Sequence, residues 1–147
     1  MVRAFLSLLA VGLLAACSPS IDESGTSSDG LTDGRRLTEP QVQTLLTRAA
    51  FPASAIPRMV CIAKYESGFN DLFARGKPNG TWDIGLFAIN TVHAGNTPGC
   101  PVKADGLYDA QANTKCALSV YGMYGLRGWP SYAANKAECD SYRVSAQ

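Results

Sequence analysis

Two carboxylates dominate any chemical reading of this chain. Glu66 lies in Cys61-Ile62-Ala63-Lys64-Tyr65-Glu66-Ser67-Gly68-Phe69-Asn70, and Asp83 opens Asp83-Ile84-Gly85-Leu86-Phe87-Ala88-Ile89-Asn90. The first segment reads as the end of a helix and the second as a strand after a tight turn. The two acids therefore sit in contrasting surroundings, which is what cleavage of a glycosidic bond needs. One must stay protonated to donate to the leaving oxygen, and the other must stay ionised to stabilise or attack the sugar cation. Either residue alone would carry little weight, because most helical Glu side chains are simply solvated.

The elements that position them can be read in order. Thr38-Glu39-Pro40-Gln41 predicts a helix start, with Thr38 as cap and Gln41 three residues on. Val42, Leu45, Leu46 and Ala49 follow at helical spacing, and Phe51-Pro52 ends the run. A second helix is predicted from Pro57 to Ser67, with Met59, Ile62, Ala63 and Glu66 on one face and Gly68 as its stop. Glu66 at the end of an apolar stripe meets burial and the helix's negative pole, both of which favour the protonated acid. Asn79-Gly80 is the strongest hairpin signal. Strands at 72–75 and 81–86 are expected to flank it, with a third segment at 87–91. Hairpin register then decides which way Asp83 points. From Tyr108 to Tyr124 the pattern is helical again, with Ala112, Cys116, Leu118, Val120 and Met123 as the apolar face. The remainder reads as a Gly/Trp/Pro turn and a short helix or loop. A few strands inserted between helices is an α+β arrangement.

Length and composition allow one domain in 147 residues, preceded by a targeting segment. Residues 1–16 read as a signal peptide: Met1-Val2-Arg3, then an apolar run from Ala4 to Ala16 too short to span a membrane comfortably. Leu14-Ala15-Ala16-Cys17 resembles a bacterial lipobox, in which Cys17 is acylated after cleavage; the alternative is an ordinary signal peptide. Ser18, where Asp would favour inner-membrane retention, points to outer-membrane sorting. Residues 17–36 form a Ser/Gly/Asp-rich tether with a root-mean-square reach of about 20–25 Å, and 37–147 form the domain. Taking Cys17 as lipidated leaves Cys61, Cys100, Cys116 and Cys139, which permit three disulfide connectivities in an exported protein. Without a Cys-x-x-Cys or Cys/His ligand spacing, neither zinc nor any other metal or cofactor is expected. The net charge of +1 conceals a division. Setting aside Arg3 and the acidic residues Asp22, Glu23, Asp29 and Asp33 leaves 12 basic and 8 acidic residues from Arg35 onward. A mildly basic domain suits an anionic polymer such as the cell wall, and nothing points to nucleic acid.

Over residues 60–132 the chain resembles a c-type lysozyme within the lysozyme-like superfamily. Cys61-x-Ala63-Lys64-Tyr65-Glu66-Ser67-x-Phe69-Asn70 is similar to the helix carrying that family's general acid. Asp83-x-Gly85-Leu86-Phe87-x-Ile89-Asn90 is similar to the strand carrying its second carboxylate, at a compatible spacing. Asn113-x-x-Cys116-Ala117 and Gly128-Trp129 resemble the later helix and cleft wall. The resemblance implies a helical lobe and a small antiparallel β-hairpin lobe flanking a cleft. It implies Glu66 as general acid then base, and Asp83 as nucleophile or electrostatic stabiliser. Trp129, beside Gly128, would dry the surroundings of Glu66, and Asn90 would orient Asp83. It also implies the bridges Cys61–Cys139 and Cys100–Cys116, two of the family's set.

Departures from the pattern weaken the distal sugar sites. His93 and Ala94 stand where stacking tryptophans are usual, Ala88 replaces a cleft Gln, and the loop to Cys100 is short. His93 is left either to bind a sugar hydroxyl or to be solvated. Lys77 replaces an Asn: pointing at Asp83 it would lower that carboxyl's pKa, and pointing outward it would do nothing. Asp105 and Asp109, followed by Ala110, are too few for a calcium loop. The leading expectation is a monomeric muramidase, cutting the β-1,4 bond between N-acetylmuramic acid and N-acetylglucosamine in peptidoglycan. As a lipoprotein held by Cys17, it would sit in the outer membrane facing the periplasm, or on the extracytoplasmic face of a cell lacking one. Rivals are a lytic transglycosylase, which needs one Glu and leaves 1,6-anhydro ends, and a non-catalytic wall- or partner-binding module.

Overall fold

The computed structural model describes residues 36–145. The expected signal peptide, the expected lipidation site Cys17 and the expected tether, up to residue 35, therefore lie outside the described residues. Helix α1 (Glu39–Arg48) starts at a complete capping box: Thr38 Oγ1 accepts from the Gln41 amide, and Gln41 Oε1 accepts from the Thr38 amide. It ends earlier than Phe51-Pro52, at the Ala49 cap. Helix α2 (Ile56–Ser67) begins with Pro57 in its first turn and stops at Gly68 in the left-handed conformation. The side chain of Arg36 packs on that stop and donates to the Gly68 carbonyl at 2.8 Å. Met59 to Ala63 are fully buried without interruption, so α2 is the central helix of the core and not a one-faced one.

The sheet is antiparallel and ordered β1 (Ala74–Gly76), β2 (Trp82–Ile84), β3 (Ile89–Asn90). These strands are shorter than the spans expected at 72–75, 81–86 and 87–91. Residues 85–88 leave the ladder as a turn bounded by Gly85 (φ 77°) and Ala88 (φ 47°). The physical reason is that Leu86 and Phe87 are both buried. A continuing strand would alternate them between faces, whereas the turn drives both into the helical core. Asn113 holds the turn there. Its side chain accepts from the Phe87 amide and donates to the carbonyls of Ile84 and Leu107, at 2.8–2.9 Å.

After 3-10 turns at Thr91–His93 and Ala104–Tyr108 comes α3 (Ala110–Tyr124), capped by Asp109. Its buried positions are Asn113, Thr114, Cys116, Ala117 and Val120, while Met123 is half exposed. The apolar face is thus rotated from the expected Ala112–Met123 set, because Asn113 and Thr114 take buried places with their hydrogen bonds made internally. The C-terminal part is ordered as α4 (Pro130–Ala134) and α5 (Lys136–Ser141). Glu138 and Asp140 on α5 pair with Lys64 and Arg58 on α2, at 3.0 and 2.9 Å. Disulfides Cys61–Cys139 and Cys100–Cys116 complete the fastening. The fold is α+β, with helices on one side of a cleft and the three-stranded sheet on the other.

Candidate active site

Glu66 is the penultimate residue of α2, and its placement follows from how that helix end is tied down. The neighbouring Ser67 donates to the Leu86 carbonyl at 2.7 Å, locking the helix terminus to the turn between β2 and β3. Trp129 Nε1 donates to the Phe87 carbonyl at 3.0 Å, and the two rings meet edge to face. These bonds bring Glu66, only 8% exposed, into a cleft walled by Trp129, Val120 and Ile89.

Asp83 is placed by the sheet. Arg75, Asp83 and Asn90 are Cα partners across β1, β2 and β3, so one row of side chains crosses the sheet on the cleft face. Asn90 Nδ2 donates to Asp83 Oδ1 at 2.9 Å, and also to Thr81 Oγ1. Lys77, two residues beyond Arg75 and therefore on the same face, puts Nζ 2.8 Å from Asp83 Oδ2. Arg75 Nη2 lies 3.0 Å from that oxygen and 3.6 Å from Glu66 Oε2. The question of where Lys77 points is answered: it points at Asp83. Burial of Asp83, 5% exposed, pushes its pKa up, but Lys77, Asn90 and Arg75 push it down and prevail. Asp83 accordingly titrates below the ordinary carboxylate range.

One guanidinium nitrogen touching both acids limits their separation. Glu66 Oε2 and Asp83 Oδ2 are at most 6.6 Å apart, the two contact distances laid end to end. Retaining glycosidases hold their carboxyl groups about 5–5.5 Å apart, and inverting ones about 6.5–9.5 Å. The bound lies at the lower edge of the inverting range and contains the whole retaining range.

The cleft encloses about 600 Å³, and each of the remaining expected site residues lines it. His93 is held by Thr97, whose Oγ1 is 3.0 Å from Nδ1, and burial lowers its pKa, which leaves the ring neutral near pH 7. Gly128 is a close-approach position: a Cβ there would come within 3.0 Å of Val120. Tyr65 and Ser131, which the sequence reading did not single out, also line the cleft. Arg75 was also missed. Its signal is register alone, since nothing in its local sequence marks it. Among the described residues, no group of three or more His, Cys, Asp or Glu side chains converges as a metal site would require.

No protein-family model matches the chain. A curated relative does: the chain is 31% identical over 105 residues to a protein named Lysozyme from Hyalophora cecropia, covering 66% of this chain and 76% of the relative.

Proposed function

Since the chain belongs to the lysozyme family, we propose that it is a retaining muramidase acting on peptidoglycan. The observation that carries this reading is the pair of buried carboxylates held within 6.6 Å by one arginine, in a cleft of about 600 Å³. The two-carboxylate scheme is borrowed from the type case of retaining glycosidases, itself a lysozyme. Glu66 gives its proton to the glycosidic oxygen between N-acetylmuramic acid and N-acetylglucosamine. The bond from C1 breaks, and its electron pair goes to that oxygen. Asp83, kept ionised by Lys77, Asn90 and Arg75, meets the cation at C1 or bonds to it. Water then adds at C1, returns a proton to Glu66 and releases Asp83. Trp129, Gly128 and His93 line the same cleft.

The same reading makes the chain a lipoprotein anchored through Cys17, with a monomeric catalytic domain in the periplasm and no cofactor. Two disulfides support a place outside the reducing cytoplasm.

One observation favours a second reading. Both oxygens of Asp83 are already engaged, Oδ1 by Asn90 and Oδ2 by Lys77 and Arg75, so Glu66 is the freer of the two acids. A lytic transglycosylase needs only that acid and leaves a 1,6-anhydro end. Mass spectrometry of peptidoglycan digested by wild type, Glu66→Gln and Asp83→Asn separates the two. The muramidase reading expects new reducing ends, abolished by Glu66→Gln and lowered at least a hundredfold by Asp83→Asn. Anhydro ends with normal turnover by Asp83→Asn would make it a transglycosylase.

A further inference from the structure

Charge in the cleft is sorted by depth. The side chains of Glu66 and Asp83 are 7% exposed, whereas Arg75 is 50% and Lys77 39% exposed. A glycan entering the cleft meets two cations with the two carboxylates beneath them. The four charges cancel only while Glu66 is ionised. Acid catalysis needs Glu66 protonated, and the site then holds two cations against one anion. Such a surplus attracts an anionic group on the ligand. Donors remain to receive it: among the described residues, Arg75 engages the acids through Nη2 alone, and Lys77 Nζ contacts only Asp83. A guanidinium with Nε and Nη1 uncommitted suits a carboxylate.

Resting on the muramidase reading, we propose that Arg75 and Lys77 form a carboxylate subsite selecting glycan strands whose muramic acid bears a free lactyl carboxylate. These are strands from which the stem peptide has already been removed. The ligand carboxylate is received by the donors that Arg75 and Lys77 do not spend on Asp83, so Asp83 keeps the contacts that hold it ionised. Stem peptides also carry carboxylates, but several bonds further from the sugar ring. The two cations are folded down onto Asp83 at the cleft floor, which suits the nearer group.

The test is calorimetric titration of the full chain carrying Glu66→Gln, which prevents turnover and reproduces the uncharged acid. The ligands are one muramic-acid tetrasaccharide in three forms: free lactyl carboxylate, intact stem peptide, and lactyl carboxyl reduced to the alcohol. The free carboxylate should bind about tenfold tighter than the alcohol, equivalent to about 1.4 kcal/mol. Adding Arg75→Gln or Lys77→Gln should shrink that ratio below about threefold. Equal affinity for carboxylate and alcohol would overturn the subsite, as would a ratio that survives both substitutions. Tightest binding of the stem-bearing form would overturn the lactyl assignment and give the subsite to the peptide. Failure of the muramidase reading shows elsewhere, as no new reducing ends from wild type, and leaves this comparison interpretable.

Discussion

The carboxylate of Asp83 has lost nearly all its water yet titrates below the usual range, because three donors outweigh its burial. Two of those donors are half-exposed cations, so their effect is partly screened by salt. The sign of the pH dependence follows. A depressed folded pKa gives stability that is present above the unfolded value and is lost as pH falls through the folded one. Activity that needs ionised Asp83 falls off in the same low window. Replacing Lys77 by Met removes one lowering contact and lets burial act with less opposition. The acid limb of kcat/KM against pH should therefore move to higher pH in Lys77→Met, and the wild-type limb should also move up with added salt. An acid limb unmoved by both changes would mean that Asp83 does not set it.

At the scale of elements, the cleft exists because the turn at 85–88 is bolted to the end of α2 on one side and to α3 on the other. Asn113, fully buried, makes three hydrogen bonds to that turn and to Leu107, and no other side chain replaces them. Asn113→Leu keeps the branching at Cγ, and strands one amide and two carbonyls without partners. At about 1–3 kcal/mol for each buried group left unsatisfied, urea denaturation should show a loss of at least about 3 kcal/mol. A loss below about 1 kcal/mol would mean that water or a backbone shift satisfies those groups. Helix α1 and the helix that carries Glu66 were legible in the sequence because their signals are local: Thr38 with Gln41, Pro57 with Gly68, and runs of apolar residues. The reach of the sheet was not. Asn79-Gly80 taken as a two-residue loop would pair Arg75 with Ile84 and turn it away from Asp83. The observed pairing, Arg75 with Asp83, comes from a three-residue loop closed between Lys77 and Thr81, with Gly80 at φ 81°. One residue of loop length therefore decided whether Arg75 belonged to the site, and sequence pattern does not resolve one residue.

Across the whole molecule, two covalent links close loops of very different size. Cys61–Cys139 ties the helix of Glu66 to the C-terminal α5 over a separation of 78 residues, while Cys100–Cys116 spans only 16. Chain-entropy reasoning assigns about 4–5 kcal/mol to the longer loop and about 3 kcal/mol to the shorter. The contacts that run beside the longer bridge are ion pairs with substantial exposure, such as Lys64–Glu138, and contribute little on their own. A domain of this size has a total stability of about 5–15 kcal/mol, so the two bridges together are comparable to all of it. Paired Ser substitution of Cys61 and Cys139 should accordingly lower the Tm more than the same change at Cys100 and Cys116. Full reduction should abolish activity at 37 °C even with Glu66 and Asp83 untouched, because the ion pairs that also join α2 to α5 are too exposed to replace the bridge. Thermal unfolding and peptidoglycan release measured in parallel, with and without dithiothreitol, check both points. Full activity of the reduced chain would show that packing alone holds the site, and would remove the disulfides as an argument for a place outside the cytoplasm.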